Sequence, residues 1–175
     1  STTMTFTVDV TAVNDVPTIT AVSDPSAILE DAGAQTISLS GIGDGDADAA
    51  QTLTVTASSS NTSIIPNPTV TYTSDNATGS LAYTPVSDAN GTADITVTVS
   101  DNGGTANSGV NSTTMTFTVD VTAVNDVPTY SIGSNQSVDE DVLAQTVPNW
   151  ASDISPGSSN ESGQTLTFTL SNDNN

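Results

Sequence analysis

The sequence predicts an all-β protein made of tandem Greek-key β-sandwich repeats, and three observations carry that reading. Met4, Phe6, Val8, Val10 and Ala12 alternate with Thr5, Thr7, Asp9 and Thr11, the period-two pattern of a half-buried strand. The opening stretch "STTMTFTVDVTAVNDVPT" returns letter for letter at Ser112–Thr129, a period of 111 residues, which suits one seven-stranded sandwich of about 100 residues. No segment sustains a helical period, and Gly, Pro, Asn and Asp punctuate the apolar runs at regular intervals, as in sandwiches with short strands.

The elements follow in order. The first strand is expected within Thr18–Leu29, interrupted by Asp24-Pro25. The second covers Thr36–Ile42, the third Leu53–Ser59 and the fourth Thr69–Ser74. The fifth covers Ser80–Pro85, the sixth Asp94–Ser100 and the seventh Thr113–Val124. Threonine fills the outward positions, as suits its β-branched side chain. "EDAGAQT" (30–36) is echoed by "EDVLAQT" (140–146), and "AQTLTVTAS" (50–58) by "GQTLTFTLS" (163–171). Residues 1–14 therefore read as the last strand of a preceding repeat, 15–125 as one complete repeat, and 126–175 as the N-terminal part of the next. The chain is expected to be cut inside a repeat at both ends.

Composition narrows the function. There are 20 Asp and Glu and no Lys, Arg or His, for a net charge of −20. Such a chain cannot neutralise nucleic-acid phosphates or adhere to anionic lipid, and no apolar run reaches the length of a membrane-spanning helix. Cysteine is absent, so packing and metal are left as stabilisers. Trp150 is expected in the core of the last repeat, and Asp9 and Asp120 are expected to guard strand edges by charge. Catalysis would have to rest on a carboxylate pair alone. The acids gather at linker ends rather than across a cleft, so the chain is not read as an enzyme.

Consecutive antiparallel strands sort the loops to two ends of the sandwich. One end collects Asp44, Asp46 and Asp48 from "GIGDGDADAA", Asp101 from "SDNGG", and Asn14 and Asp15 from the incoming linker. The other collects Glu30 and Asp31, Asp88 from "SDANG", and Asn125 and Asp126 from the outgoing linker, with Asp153 and Glu161 following in the next repeat. Carboxylates this close repel unless a positive charge intervenes, and no side chain here supplies one. The donors on offer are carboxylate, amide and main-chain oxygens, which suit Ca²⁺ better than Mg²⁺ when carried by flexible loops. Asp, Asn and Gly are also ordinary turn formers. Asp24 and Asp75 read that way, and taken singly each clustered acid fits either role.

The combination of "VTAVNDVPT", the Glu30-Asp31 pair, the Asp-rich loop, "NGTADITVTVSDNGG" and a second "VTAVNDVPT" resembles cadherin-like and bacterial Ig-like tandem repeats. These build giant calcium-dependent surface adhesins and extracellular fibres of Gram-negative, often marine, bacteria. The resemblance covers all 175 residues. It implies Ca²⁺ between consecutive sandwiches, an extracellular or cell-surface location, and a structural role as stalk or filament. The implied partners are neighbouring repeats and identical chains in a bundled fibre. Asn14 and Asp15, with their copies Asn125 and Asp126, match the Asn-Asp step of the cadherin linker. Glu30 resembles the calcium-binding Glu near the first strand, Asp44 and Asp46 resemble the acidic pair of the top loop, and Asp153 corresponds to a top ligand in the next unit. Ala12 replaces the first linker Asp and the linker is one residue shorter, which leaves the ion count per junction open. A glycan- or surface-binding module is the alternative; it would call for exposed aromatics or long variable loops.

Ions that bind only the folded chain stabilise it by about 2.7 kcal/mol when free ion is a hundredfold above the dissociation constant. The melting temperature is expected to fall in chelator and to recover with Ca²⁺ more than with Mg²⁺. A melting curve indifferent to chelator would contradict the calcium reading.

Overall fold

Gly91–Ser100 alternates cleanly, with Ala93, Ile95, Val97 and Val99 set between Thr, Asp and Ser, and it forms an interior strand of the larger sheet. The computed structural model describes residues 1–173. Among them the regular structure is all β, with two short 3-10 turns at Ala106–Ser108 and Ser159–Glu161 and no α-helix. The chain divides into two compact units, 1–122 and 123–175.

Unit 1 contains seven strands: β1 (Ile28–Leu29), β2 (Gln35–Ser40), β3 (Thr54–Ser59), β4 (Thr69–Thr71), β5 (Thr78–Tyr83), β6 (Gly91–Ser100) and β7 (Ser112–Thr122). They form a four-stranded sheet in the order β1-β7-β6-β3 and a three-stranded sheet in the order β2-β5-β4. On β6, Ala93, Ile95, Val97 and Val99 are buried. Across the antiparallel ladder Ile95 sits opposite Phe117, Val97 opposite Met115, and Ala93 opposite Val119. On the other flank Val55 of β3 faces Val99. The smaller sheet turns Leu39, Leu81 and Tyr83 into the same apolar cluster, with Ile64 and Ile65 from the loop after β3. Two apolar faces thus close on one core, giving a β-sandwich-like fold.

The first expected strand divides in two. Thr18 makes an antiparallel bridge with Gly43, and the Thr20 N–H donates to the Ser40 carbonyl at 2.9 Å, which ties this stretch to the β2 side. Beyond Asp24-Pro25 the chain crosses over. Its continuation, β1, pairs in parallel with β7, Ile28 beside Val121 and Leu29 beside Thr122. Proline cannot donate to a ladder, and the crossing falls there. The Asp24 carboxylate accepts the Thr118 N–H at 2.7 Å, covering a donor on the β7 edge that the two-residue β1 does not reach.

Unit 2 contains β8 (Thr129–Ile132) and β9 (Ala151–Ser155), paired antiparallel with a register shift between Thr129 and Ser131. Its apolar side chains stay exposed: Tyr130, Ile132, Leu143, Ile154, Phe168 and Leu170 all face solvent. Trp150 is 39% exposed rather than in a core. Its indole N–H donates to the Ser134 carbonyl at 3.1 Å. A short segment with one two-stranded sheet has too little surface to enclose an indole.

Identical sequences meet different fates. Ser1–Thr11 is not assigned to a strand, and Phe6 is 89% exposed, whereas Phe117, its copy in β7, is 2% exposed. Phe117→Ala is expected to cost about 3–5 kcal/mol, while Phe6→Ala in dilute solution should stay within about 0.5 kcal/mol of the parent. Urea denaturation of the two variants checks this, and equal losses would contradict the asymmetry.

Candidate metal centre

The linker residue Asn14 reaches the loops that precede β3 and follow β6. Its side-chain N–H₂ donates to Asp101 Oδ1 at 3.1 Å and to the Val110 carbonyl at 2.7 Å. Its Oδ1 accepts from Gln51 Nε2 at 2.5 Å, and the same Gln51 amide donates to Asp46 Oδ2 at 2.8 Å. The Gln51 main-chain N–H donates to Asp44 Oδ2 at 3.0 Å. Asp101 Oδ1 also accepts the Gly103 N–H at 3.0 Å. Five side chains from three separate segments therefore share one polar cluster at one end of unit 1.

This cluster is compensated on one side only. Gln51 is 8% exposed and Asp101 9% exposed. Gln51 Oε1 and Asp101 Oδ2 are both buried with no hydrogen-bond partner. A buried oxygen left this way costs about 1–3 kcal/mol, more when charged. Gln51 lines an open hollow of about 320 Å³ together with Asn14, Asp46, Asn102 and Gly103. Gly103 is confined by them, since a Cβ there would stand only 2.5 Å from Gln51 Oε1 and would overlap the Asn14 amide. Nearby, the phenol of Tyr72 titrates above its ordinary value, because of burial first and then the Asp75 and Asp44 carboxylates.

The remaining acids of this end are arranged differently. Asp46 Oδ1 accepts the main-chain N–H groups of Asp48 and Ala49 at 2.8 and 3.3 Å, so the loop curls into a turn around it. Asp48 and Asp15 are exposed. Asp46 thus combines the turn role and the cluster role. At the opposite end of unit 1, Glu30 is fully buried just after β1, and its N–H donates to the Thr122 carbonyl at 3.0 Å. Asp31 and Asp88 are exposed there, with carboxylate oxygens within 4.8 Å of one another. Asp88 holds a left-handed backbone at φ 61°.

Unit 2 repeats one contact of this arrangement, Gln to linker Asn, with its own residues. Gln164 Nε2 donates to Asn125 Oδ1 at 3.1 Å, as Gln51 does to Asn14. The Asp126 N–H donates to Glu161 Oε1 at 2.7 Å, and Asp126 Oδ2 accepts from Ser158 Oγ at 2.7 Å. Glu161 is 6% exposed and its Oε2 is buried with no hydrogen-bond partner. That oxygen leans on Gly157, where a side chain would collide with it. Asp153 is exposed in β9 at φ 51° and accepts from Ser152 Oγ at 3.2 Å; Glu161 is the acid that bonds to Asp126.

The residues that sequence reasoning passed over are Gln51 and Gln164. They carry no charge, and "QTLT" served only to align the repeats, yet each amide is the donor that holds the linker Asn. The repetition of that Gln was the available signal. Chemically, each cluster offers hard oxygen donors without thiolate or imidazole, a set that can hold a hard divalent cation. No family model, no curated protein and no solved structure matches the chain.

Gln51→Glu replaces the donor that faces Asn14 and Asp46 with a further carboxylate. In chelator, denaturation of unit 1 is expected to show a loss of about 2 kcal/mol, reduced on adding a divalent cation. A loss of the same size with and without the cation would show that the cluster does not take one up.

Proposed function

We propose that the chain is a structural, calcium-stiffened part of a bacterial extracellular adhesin or fibre, built of tandem Greek-key sandwich repeats and serving as stalk or filament material. The supporting observation is the recurrence, in both units, of a linker Asn held by a Gln beside a buried carboxylate oxygen with no hydrogen-bond partner, in a chain without one basic side chain. A Ca²⁺ ion accepts such oxygens at about 2.3–2.6 Å. In unit 1 its ligands would come from Asn14, Asp46, Gln51 and Asp101, and in unit 2 from Asn125, Asp126 and Glu161. Glu30, Asp31 and Asp88 supply further carboxylates at the other end of unit 1.

The ion's mechanical effect follows from which segments it joins. Asn14 and Asn125 belong to the repeated "NDVPT" linkers, whereas Gln51, Asp101, Glu161 and Gln164 belong to loops of the sandwich that follows. Calcium would fix the linker to those loops and remove the freedom of a short coil to swivel. An array of such repeats is then a rod in calcium and a jointed chain without it. This is useful for holding an adhesive tip, or the bundled partners of a fibre, away from a cell surface. One observation favours the alternative of a glycan- or surface-binding module: the exposed aromatics Tyr130, Trp150 and Phe168 of unit 2.

Small-angle scattering on a chain of several repeats tests the mechanical reading. Each repeat is expected to add about 40 Å in calcium, given a longest strand of some eleven residues at about 3.4 Å each, and less in chelator. Equal maximum dimensions in the two conditions would refute the stiffening role even with calcium bound.

A further inference from the structure

The longest stretch of the chain without an acid runs from Ala49 to Ser74, between Asp48 and Asp75. It contains β3, the outermost strand of the larger sheet. Edge strands ordinarily guard themselves with a charge, a proline or a bulge. β3 has none of these: its residues are uncharged, and its register with β6 is unbroken from Thr54 to Ser59. The side chains of Thr54, Thr56 and Ser58 face solvent.

The hydrogen bonds fix which main-chain groups of β3 meet β6 and which turn outward. The Ser60 N–H donates to the Asp94 carbonyl at 2.9 Å, one step beyond the Ser59–Ile95 pair. Bonds alternate along an antiparallel ladder, so Thr54, Thr56 and Ser58 also direct their main-chain groups at β6. Leu53, Val55, Ala57 and Ser59 direct theirs past the edge. Two of these positions are capped by side chains: the Leu53 N–H donates to Ser74 Oγ and the Ser59 N–H to Asn67 Oδ1, both at 2.9 Å. Between them the N–H groups of Val55 and Ala57 have no partner among the described residues. The edge is therefore symmetric about Thr56, open at Val55 and Ala57 and closed at Leu53 and Ser59.

We propose that β3 of one copy of the chain pairs antiparallel with β3 of a second copy, about a two-fold axis at Thr56. Val55 of each copy then stands opposite Ala57 of the other, and each such pair exchanges two main-chain bonds. Thr56 meets its own counterpart in the non-bonded position between them. The spacing selects a second copy as the occupant. An edge open one residue to either side of its centre and capped beyond is complementary to itself, as an isologous contact requires. Charge selects the same place. Copies of a chain with net charge −20 and no base repel one another, whereas the paired strands bring no carboxylate to the contact. Pairing uses up both edges, so it closes at the dimer. It needs no ion and does not depend on the calcium reading. Its use, to join oppositely directed neighbours in a bundled fibre, does rest on the proposed function.

The test is sedimentation equilibrium of the 175-residue chain in chelator, across a concentration series at low and moderate salt. The expected mass rises with concentration toward twice 17.6 kDa and no further, more readily in moderate salt, which screens the like charge of the two copies. Thr56→Glu sets two like charges face to face and is expected to weaken association about fivefold. Mixing it with Thr56→Lys should restore association to the parent level or above. Thr56→Cys should give a disulfide-linked dimer on oxidation, since the Cα atoms of a non-bonded pair lie about 4.5 Å apart. Thr114→Cys, exposed on β7 and separated from β3 by β6, should stay monomeric. Both side chains face solvent, so unchanged melting of unit 1 is the folding control. A parent chain that stays monomeric throughout would overturn the proposal, including one whose edge takes up an unrelated extended peptide instead. So would association running past the dimer, a Thr56→Glu variant that pairs like the parent, or equal cross-linking of the two Cys variants.

Discussion

The constraint on which the structure depends is the absence of any cationic side chain among 20 carboxylates. Every buried negative charge has to be met by N–H or O–H donors, and those donors are few and fixed in place. Gln51 shows the consequence. Its amide and main-chain N–H groups reach Asn14, Asp46 and Asp44 at once, and its own carbonyl oxygen is left unmatched. Hydrogen bonding by neutral donors spreads negative charge without cancelling it, so each cluster retains an inward-facing oxygen. The same arithmetic recurs at Glu161, where one carboxylate oxygen takes the Asp126 N–H and the other takes nothing.

The sandwich itself escapes this constraint because its buried apolar cluster is built from Val, Ile, Leu, Ala, Phe and Tyr alone. Thr and Ser occupy the outward positions of β3, β6 and β7, so the ladders form without charge along most of their length. Two acids beside the ladder each accept from Thr118: Asp24 takes its N–H and Asp94 its hydroxyl, both at 2.7 Å. Negative charge therefore collects at loop ends, where a backbone can turn around it, and spares the packed faces.

What could be read in advance follows the same division. The alternation in "ADITVTVS" and "STTMTFTVDVT" placed β6 and β7, although the identical run at Ser1–Thr11 is not assigned to a strand. The break at Asp24-Pro25 was visible, but its partner Thr118 lies 94 residues away and no local pattern points there. In the site, the acids of the linker and loops announced themselves by charge. The order among them did not: Asp44, Asp46 and Asp48 share a spacing, yet the loop curls about Asp46 and turns Asp48 outward. Glu161 enters through a 3-10 turn whose geometry is set by backbone rather than by composition. The neutral Gln residues were hidden for a simpler reason, since an amide reveals its role only by what it touches.

The parallel register of β1 and β7 has a consequence for a unit held at its ends. One strand lies near the start of the sandwich and the other at its close, side by side and pointing the same way. Tension applied through the two flanking linkers would pull them in opposite directions along their common axis. The bonds between them, including Glu30 N–H to the Thr122 carbonyl at 3.0 Å, would be loaded together in shear rather than opened one after another from an end. Fully buried Glu30 sits at that seam. The short β1 is thus a latch whose resistance depends on direction, firm along the pulling axis and weak to peeling.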